Sequence, residues 1–330
     1  MKLNTYEAPH IRYKESTRGL MSDALVTMLF IYFMALYYYG PRVIMLGLVS
    51  VVAAVLSDCV CVLLAGRRVN PRDLSPVVTG MLLPLLMPAS VPYYVAAVAA
   101  VFAIVVAKQP FGGVGNNVFN PVAAGFCFVA ICFTDQLFSY TAPLQHLPVF
   151  GVLDITTVNS PAFTLEVGGL PQYDLVDMAL GNFPGPMGAT NILVIVACLL
   201  YLVFRNTISW VTPLCFFATV GVYALLWPRV DSALLADATM RLQLVLYEMM
   251  SGMLLLGGVF LLGDPVTTPK RGWSKISFGV VAGLAVMLFR RFGGFEEEFT
   301  FAILFMNATV WGFDMLGEQA ASFFRRRKKA

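Results

Sequence analysis

The 330-residue chain is 58% AVILMFWYC and only 12% charged, with a mean hydropathy of +0.77. Soluble domains carry about 25% charged residues, so this composition excludes a soluble enzyme, a disordered tail protein and a secreted disulfide scaffold, and indicates an all-α integral membrane protein. The net charge of +3, from 22 basic and 19 acidic residues, matters through its distribution. The basic run at 325–329 reads as a cytoplasmic anchor beside a span, with no nucleic-acid partner expected.

In chain order, a mixed segment from Met1 to Leu20 has no apolar run after a short basic start, so no cleaved signal peptide is expected. A membrane span needs about 20 apolar residues, or about 17 if short. Apolar segments fall at 24–39, 43–64, 76–88, 92–107, 121–133, 191–204, 208–227, 244–263, 276–289 and 299–316. The third is interrupted by Gly80 and Pro84 and the eighth by Gly252, Gly257 and Gly258. Such breaks usually line a cavity or site.

Ten crossings with both termini inside put 17 of the 22 basic residues in the cytoplasm, leaving Arg42, Arg229, Arg241, Arg290 and Arg291 outside. That asymmetry satisfies the positive-inside rule. The loop 134–188 has no lysine or arginine but holds Asp135, Asp154, Glu166, Asp174 and Asp177, and is expected outside. All six cysteines, at 59, 61, 127, 132, 198 and 215, lie in apolar stretches without CxxC spacing, which argues against external disulfides and a self-contained metal site.

The halves echo each other. Thr79-Gly80-Met81-Leu82-Leu83 recurs as Ser251-Gly252-Met253-Leu254-Leu255, and Phe111-Gly112-Gly113 as Phe292-Gly293-Gly294, at offsets of 172 and 181. Five spans per half would invert the second repeat relative to the first. The expected organisation is an N-terminal cytoplasmic segment with the first five-helix repeat (1–133), an extracytoplasmic loop (134–190), and a second repeat with a basic cytoplasmic tail (191–330).

Three motifs stand out. Phe111-Gly-Gly-Val-Gly-Asn-Asn-Val-Phe-Asn-Pro121 lacks the Lys-Ser/Thr of a phosphate loop; its plain reading is a tight turn, with Asn120 capping a helix that starts at Pro121. Gly263-Asp-Pro-Val-Thr-Thr-Pro269 places Asp264 either as a cation or cofactor-pocket residue or as the cap of a half-helix. In Gly185-Pro-Met-Gly-Ala-Thr-Asn191, the small Gly188 and Ala189 leave the Thr190 hydroxyl open to a modifying enzyme; the alternative is that Thr190 caps the sixth helix.

Carboxylates in spans are rare and costly, by about 2.5–3.5 kcal/mol on insertion scales. Asp58 and Glu248 are therefore candidates for an ion or proton pathway, with Asp314 reading rather as a residue near a helix end. The alternative for each is a paired structural acid. Glu296-Glu297-Glu298 reads as a solvated outer turn. His10 and His146 are too far apart in sequence to argue for haem or metal, and Tyr37-Tyr38-Tyr39 fits an interfacial aromatic belt.

The order of these blocks, from Thr-Gly-Met-Leu-Leu through Phe-Asn-Pro and Gly-Ala-Thr to Asp-Pro-Val-Thr-Thr-Pro, resembles one family over nearly the whole chain. It is that of the D subunit of Rnf electron-transport complexes and the B subunit of sodium-pumping NADH:quinone reductases, and the short N-terminus favours the former. The resemblance implies two inverted five-helix repeats similar to urea and ammonium channels. It also implies FMN joined by a phosphoester to the motif threonine, here Thr190, by a flavin-attaching enzyme. Met187 stands where the family motif often has Ser or Thr. A second, non-covalent flavin such as riboflavin occurs in the reductase relatives.

The expected function is a multi-pass flavoprotein subunit in the cytoplasmic membrane of a prokaryote. It would pass electrons through FMN within an ion-translocating ferredoxin:NAD+ oxidoreductase, coupled to Na+ or H+. Without a ferredoxin, NAD or iron–sulfur site in the chain, it would depend on partner subunits and not catalyse the overall reaction alone. The rival readings are a cofactor-free channel or secondary transporter, and a quinone-reductase subunit.

Overall fold

The structure, a computed structural model, describes residues 17–151, 157–230 and 238–327, without the side chains of 238 and 320–327. His10, Asp154, the N-terminal segment before Thr17 and the basic side chains of the tail lie outside the described residues.

Helices account for all the regular structure among the described residues, apart from one isolated bridge between Thr141 and Thr157. The first group is α1 (Thr17–Tyr39), α2 (Arg42–Leu64), α3 (Ser75–Leu85), α4 (Tyr93–Phe102) and α5 (Pro121–Cys132). The loop region carries short helices α6 (Thr134–Leu137), α7 (Pro161–Glu166) and α8 (Leu175–Leu180). Then follow α9 (Ile192–Phe204), α10 (Val211–Leu226), α11 (Ala238–Met250), α12 (Leu254–Phe260), α13 (Gly272–Phe292) and α14 (Phe299–Arg327).

All ten apolar segments are helical, yet length separates them. Five helical stretches are long and apolar enough to cross a membrane, and a sixth if α11 and α12, bent by 53° at their junction, count as one. At 1.5 Å per residue, the 23 residues of α1 extend about 35 Å, enough for a hydrocarbon core of about 30 Å. By the same measure the 13 residues of α9 reach about 20 Å. Of the ten expected spans, five or six thus qualify by length and composition among the described residues. Segments α3, α5, α9 and α10 are shorter apolar helices; α5 and α9 start on buried asparagine caps, Asn120 and Asn191.

The long helices bury only part of their surface inside the bundle, 33–44% of each apolar window. Leu29, Phe30 and Phe33 on α1, and Leu56, Leu63 and Leu64 on α2, point outward. Apolar side chains facing out over this length require lipid, so the protein is a multi-pass membrane protein.

Inside the bundle, α2 packs on α3 and α4, and α10 packs on α11 and α13. Helix α4 adjoins α5 as α13 adjoins α14, and across the middle α1 meets α9 and α5 meets α14. Gly80 does not interrupt α3 as its sequence suggested. A Cβ there would lie 2.6 Å from Val51 Cα, so its role is close backbone approach between α3 and α2. Pro84 also sits within α3, which ends one residue later. Gly252, by contrast, has φ +63° and marks the real break, where a left-handed residue turns α11 into α12.

After α4 the chain makes a π turn over Ala103–Lys108 and a 3₁₀ turn over Gln109–Phe111. Phe111 and Phe292 each close a helical stretch before glycine, in agreement with the second sequence echo.

Candidate functional site

The Gly185–Thr190 motif lies where the long loop returns to the bundle. The Met187 and Gly188 N–H groups donate to the carbonyls of Met87 and Leu85, both at 2.9 Å, stitching the segment onto the end of α3. A Cβ at Gly188 would stand 2.8 Å from the Leu85 carbonyl oxygen. Glycine is therefore required for close approach to α3, and it does not open a path to Thr190. Ala189 and Thr190 are each only 1% exposed, which corrects the expectation of an open hydroxyl. Nor does Thr190 cap α9: the Asn191 side chain accepts the Val194 N–H at 3.1 Å and donates to the Leu180 carbonyl at 3.0 Å. Beside Thr190, the buried Tyr39 hydroxyl approaches its side chain without closing a hydrogen bond of ordinary geometry. A buried, unsatisfied hydroxyl next to a threonine hydroxyl suits an oxygen-rich group such as a phosphoester. The donor chemistry fits an esterified flavin.

At the opposite end of the bundle the other two motifs meet. The Asn120 side chain caps α5 by accepting from Val122 and Ala123 N–H at 3.0 and 3.3 Å. Its amide donates to Asp264 Oδ2 at 3.4 Å. Asp264 in turn accepts from the Val266 N–H and the Thr267 hydroxyl, each at 3.1 Å. Burial pushes the Asp264 carboxyl above its usual range, and these two donors draw it back down. Asn307 of α14 bridges both motifs, accepting the Asn120 N–H at 2.9 Å and donating to the Thr267 carbonyl at 3.4 Å. Next to this junction is a cavity of about 200 Å³, lined by Ser75, Thr79, Asn117, Asn120 and Asp264 among others. Ser75 Oγ and Asn117 Oδ1 are buried without hydrogen-bond partners. Asn120 thus caps α5 and lines the cavity, whereas Asp264 lines the cavity and holds the 264–268 turn, where no helix starts, so its half-helix cap reading is corrected.

The two buried acids singled out by sequence are held in ion pairs. Asp58 receives the Lys108 ammonium at 2.8 Å and the Gln109 amide at 2.6 Å; Lys108, 1% exposed, is also 3.8 Å from Asp73. Glu248 takes a bidentate contact from Arg229, at 2.6 and 2.7 Å, and one from Arg290 Nη1 at 3.2 Å. Asp314 accepts the Lys270 N–H at 3.4 Å.

Sequence reasoning missed the acids beyond α13. Glu297 and Glu298 are 1% and 3% exposed, which overturns the solvated-turn expectation. Glu296 hydrogen-bonds the Ser160 hydroxyl of the long loop, and Glu297 accepts the Met253 N–H at the α11–α12 break. Their covers come from positions more than 40 residues away, which no local pattern encodes.

A profile of the NQR2, RnfD, RnfE family matches residues 4–322. The chain belongs to this family. It is 29% identical to the D subunit of the Na(+)-translocating ferredoxin:NAD(+) oxidoreductase complex of Acetobacterium woodii, over 94% of this chain and 92% of that one. The D subunit of the ion-translocating oxidoreductase complex of Stutzerimonas stutzeri is 31% identical over 83% of each chain. That of the proton-translocating ferredoxin:NAD(+) oxidoreductase complex of Clostridium ljungdahlii is 26% identical, covering 92% and 91%. These relatives are named as D subunits of ion-translocating oxidoreductase complexes, and two of the names differ in the ion.

Proposed function

We propose that this chain is the membrane-embedded D-type subunit of an ion-translocating ferredoxin:NAD+ oxidoreductase complex, carrying FMN on Thr190 and working only with its partner subunits. The observation that carries this reading is the family match over nearly the whole chain, together with the unsatisfied Tyr39 hydroxyl beside Thr190. FMN supplies one- and two-electron transfer when bound. Within the protein, Thr190 offers the ester oxygen, Tyr39 a hydrogen-bond donor beside it, and the contacts of Met187 and Gly188 with α3 hold the segment in register and keep water out. The cavity at Asn120 and Asp264, with unpartnered Ser75 and Asn117 oxygens, suits a small polar ligand.

The inverted-repeat architecture belongs to the same proposal. Exchanging α1 with α9, α2 with α10, α3 with the α11–α12 pair, α4 with α13 and α5 with α14 carries several of the packing pairs onto one another, α2–α4 onto α10–α13 and α4–α5 onto α13–α14 among them, while α1–α2 and α3–α4 have no such counterpart among the described residues. Cytoplasmic termini and an extracytoplasmic 134–190 loop follow from the distribution of basic residues.

Intact mass and in-gel fluorescence test the cofactor. Chain produced in cells that have the flavin-attaching enzyme should gain the mass of one flavin mononucleotidyl group and run as a fluorescent band after denaturation. An unmodified mass with a dark band would remove the covalent flavin and favour the channel reading.

A further inference from the structure

The buried acids at the α11–α12 break outnumber the cations that could neutralise them. Arg229 and Arg290 are the guanidinium groups there, and their hydrogen bonds end on Glu248 or on the backbone carbonyls of Arg290, Glu248 and Ser251. Glu248 thus engages both guanidinium groups. Glu297 and Glu298 each keep one oxygen satisfied by a backbone N–H: Met253 donates to Glu297 Oε2 at 2.9 Å, and Phe295 to Glu298 Oε1 at 3.1 Å. Their other oxygens, Glu297 Oε1 and Glu298 Oε2, are buried with no partner. An ionised carboxylate in that position bears most of its desolvation cost uncompensated.

Groups facing these acids come from every side. Arg290 stands on α13, Arg229 after α10, Glu248 on α11, Glu166 on α7 and Tyr140 in the loop, with Ser160 on Glu296. With Glu248 already offsetting one positive charge, a single remaining positive charge faces Glu166, Glu296, Glu297 and Glu298. A cavity of about 380 Å³, lined by Ser139, Tyr140, Ser160, Glu166 and Glu296, leads to the cluster from the loop side. We propose that Glu296, Glu297 and Glu298 form a proton-binding site at the break between α11 and α12, loaded and emptied through this cavity.

A proton satisfies each orphan oxygen without another protein partner, since a carboxyl can donate as well as accept. Burial agrees with this: it pushes Glu296 up to about 8 and Glu297 and Glu298 up to about 7, so the acids titrate as a group near neutrality. The site also touches the helix junction, because Glu297 accepts the Met253 N–H, where α11 and α12 are bent by 53°. Proton occupancy therefore changes the charge that pins α12 to the end of α13. The site is independent of any flavin at Thr190.

The test uses the purified full-length chain in lipid nanodiscs. Infrared difference spectra, taken as pH rises from about 6 to about 9, should show the protonated-carboxyl C=O band disappearing with an apparent midpoint near neutrality. Glu297→Gln/Glu298→Gln should remove at least half of that band. Because the folded pKa values lie above the unfolded carboxylate value, thermal stability should fall from about pH 5 to about pH 8 and level off above, less steeply in the double variant than in the wild type. If the double variant does not fold, each single Gln variant should still lose a share of the band. A band unchanged in the variants, or carboxyls already ionised at pH 6, would overturn the proposal. So would saturable stabilisation of the wild type by Na+ at high pH that the variants lack, since that would make it a metal-cation site.

Discussion

The side-chain carbonyl of Asn307 accepts the backbone N–H of Asn120 at 2.9 Å, joining α14 to the start of α5 and so the final helix of the second group to the final helix of the first. Removing that acceptor strands a buried N–H, which costs about 1–3 kcal/mol. Asn307→Ala should therefore lower the thermal unfolding temperature in detergent; Asn120→Ala keeps the bridging N–H and loses instead the α5 cap, about 1 kcal/mol, so adding it to Asn307→Ala should lower the temperature further. An Asn307→Ala protein as stable as the wild type would contradict the bridge.

Thr190→Val should abolish flavin fluorescence at unchanged protein abundance, and Thr190→Ser should retain it. The comparison is clean because Asn191, not Thr190, caps α9, so valine removes the acceptor hydroxyl without fraying the helix. Denaturing gels imaged for fluorescence and then stained for protein provide the measurement. A fluorescent valine variant would exclude Thr190 as the attachment point.

Lys108→Met should destabilise the protein by about 3–5 kcal/mol, since it leaves Asp58 buried and unpaired. Adding Asp58→Asn should recover more than half of that loss, because the stranded charge goes with it. Detergent-solubilised yield and unfolding temperature of the single and double variants check this; equal losses in both would mean the lysine acts through packing alone.

Gly252→Ala should cost at least 1 kcal/mol from its left-handed backbone alone. The added methyl would also collide with the Glu297 carboxylate and come to 2.8 Å from Arg290 Nη2. The same substitution at half-buried Gly312, in α14 with open space around its Cβ position, should stabilise slightly or do nothing. Expression and thermal stability compared at the two sites separate backbone strain from a general effect of the added methyl.

The helices were legible in the sequence because an apolar run carries its own signal, and Asn120-Pro121 was legible because a cap and a proline at the first turn are local chemistry. The bounds of α3, α5, α9 and α10 were legible too, to within three residues, because each apolar run ends where its helix does. Asp264 and Asn120 could each be singled out, but not their meeting, which depends on Asn307 from a third segment. The acids were harder to read. Asp58 and Glu248 stayed open between pathway and paired structural roles because Lys108 and Arg290 lie 50 and 42 residues away. Glu296–Glu298 looked solvated because three adjacent glutamates usually are, and the chain that covers them arrives from Ser160 and Met253.

The π turn at Ala103–Lys108 fits one more residue into the helix than α-geometry would. An α-helix continued unbroken from Tyr93 would swing every later side chain by about 100° around the axis, carrying Lys108 off Asp58 and towards the lipid tails. Deleting one residue from this turn would thus do more harm than its single missing contact suggests: it would re-aim a buried cation. By the same reasoning, insertions and deletions should be tolerated in the polar turn at 112–119 far better than in the four residues on either side of Ala103.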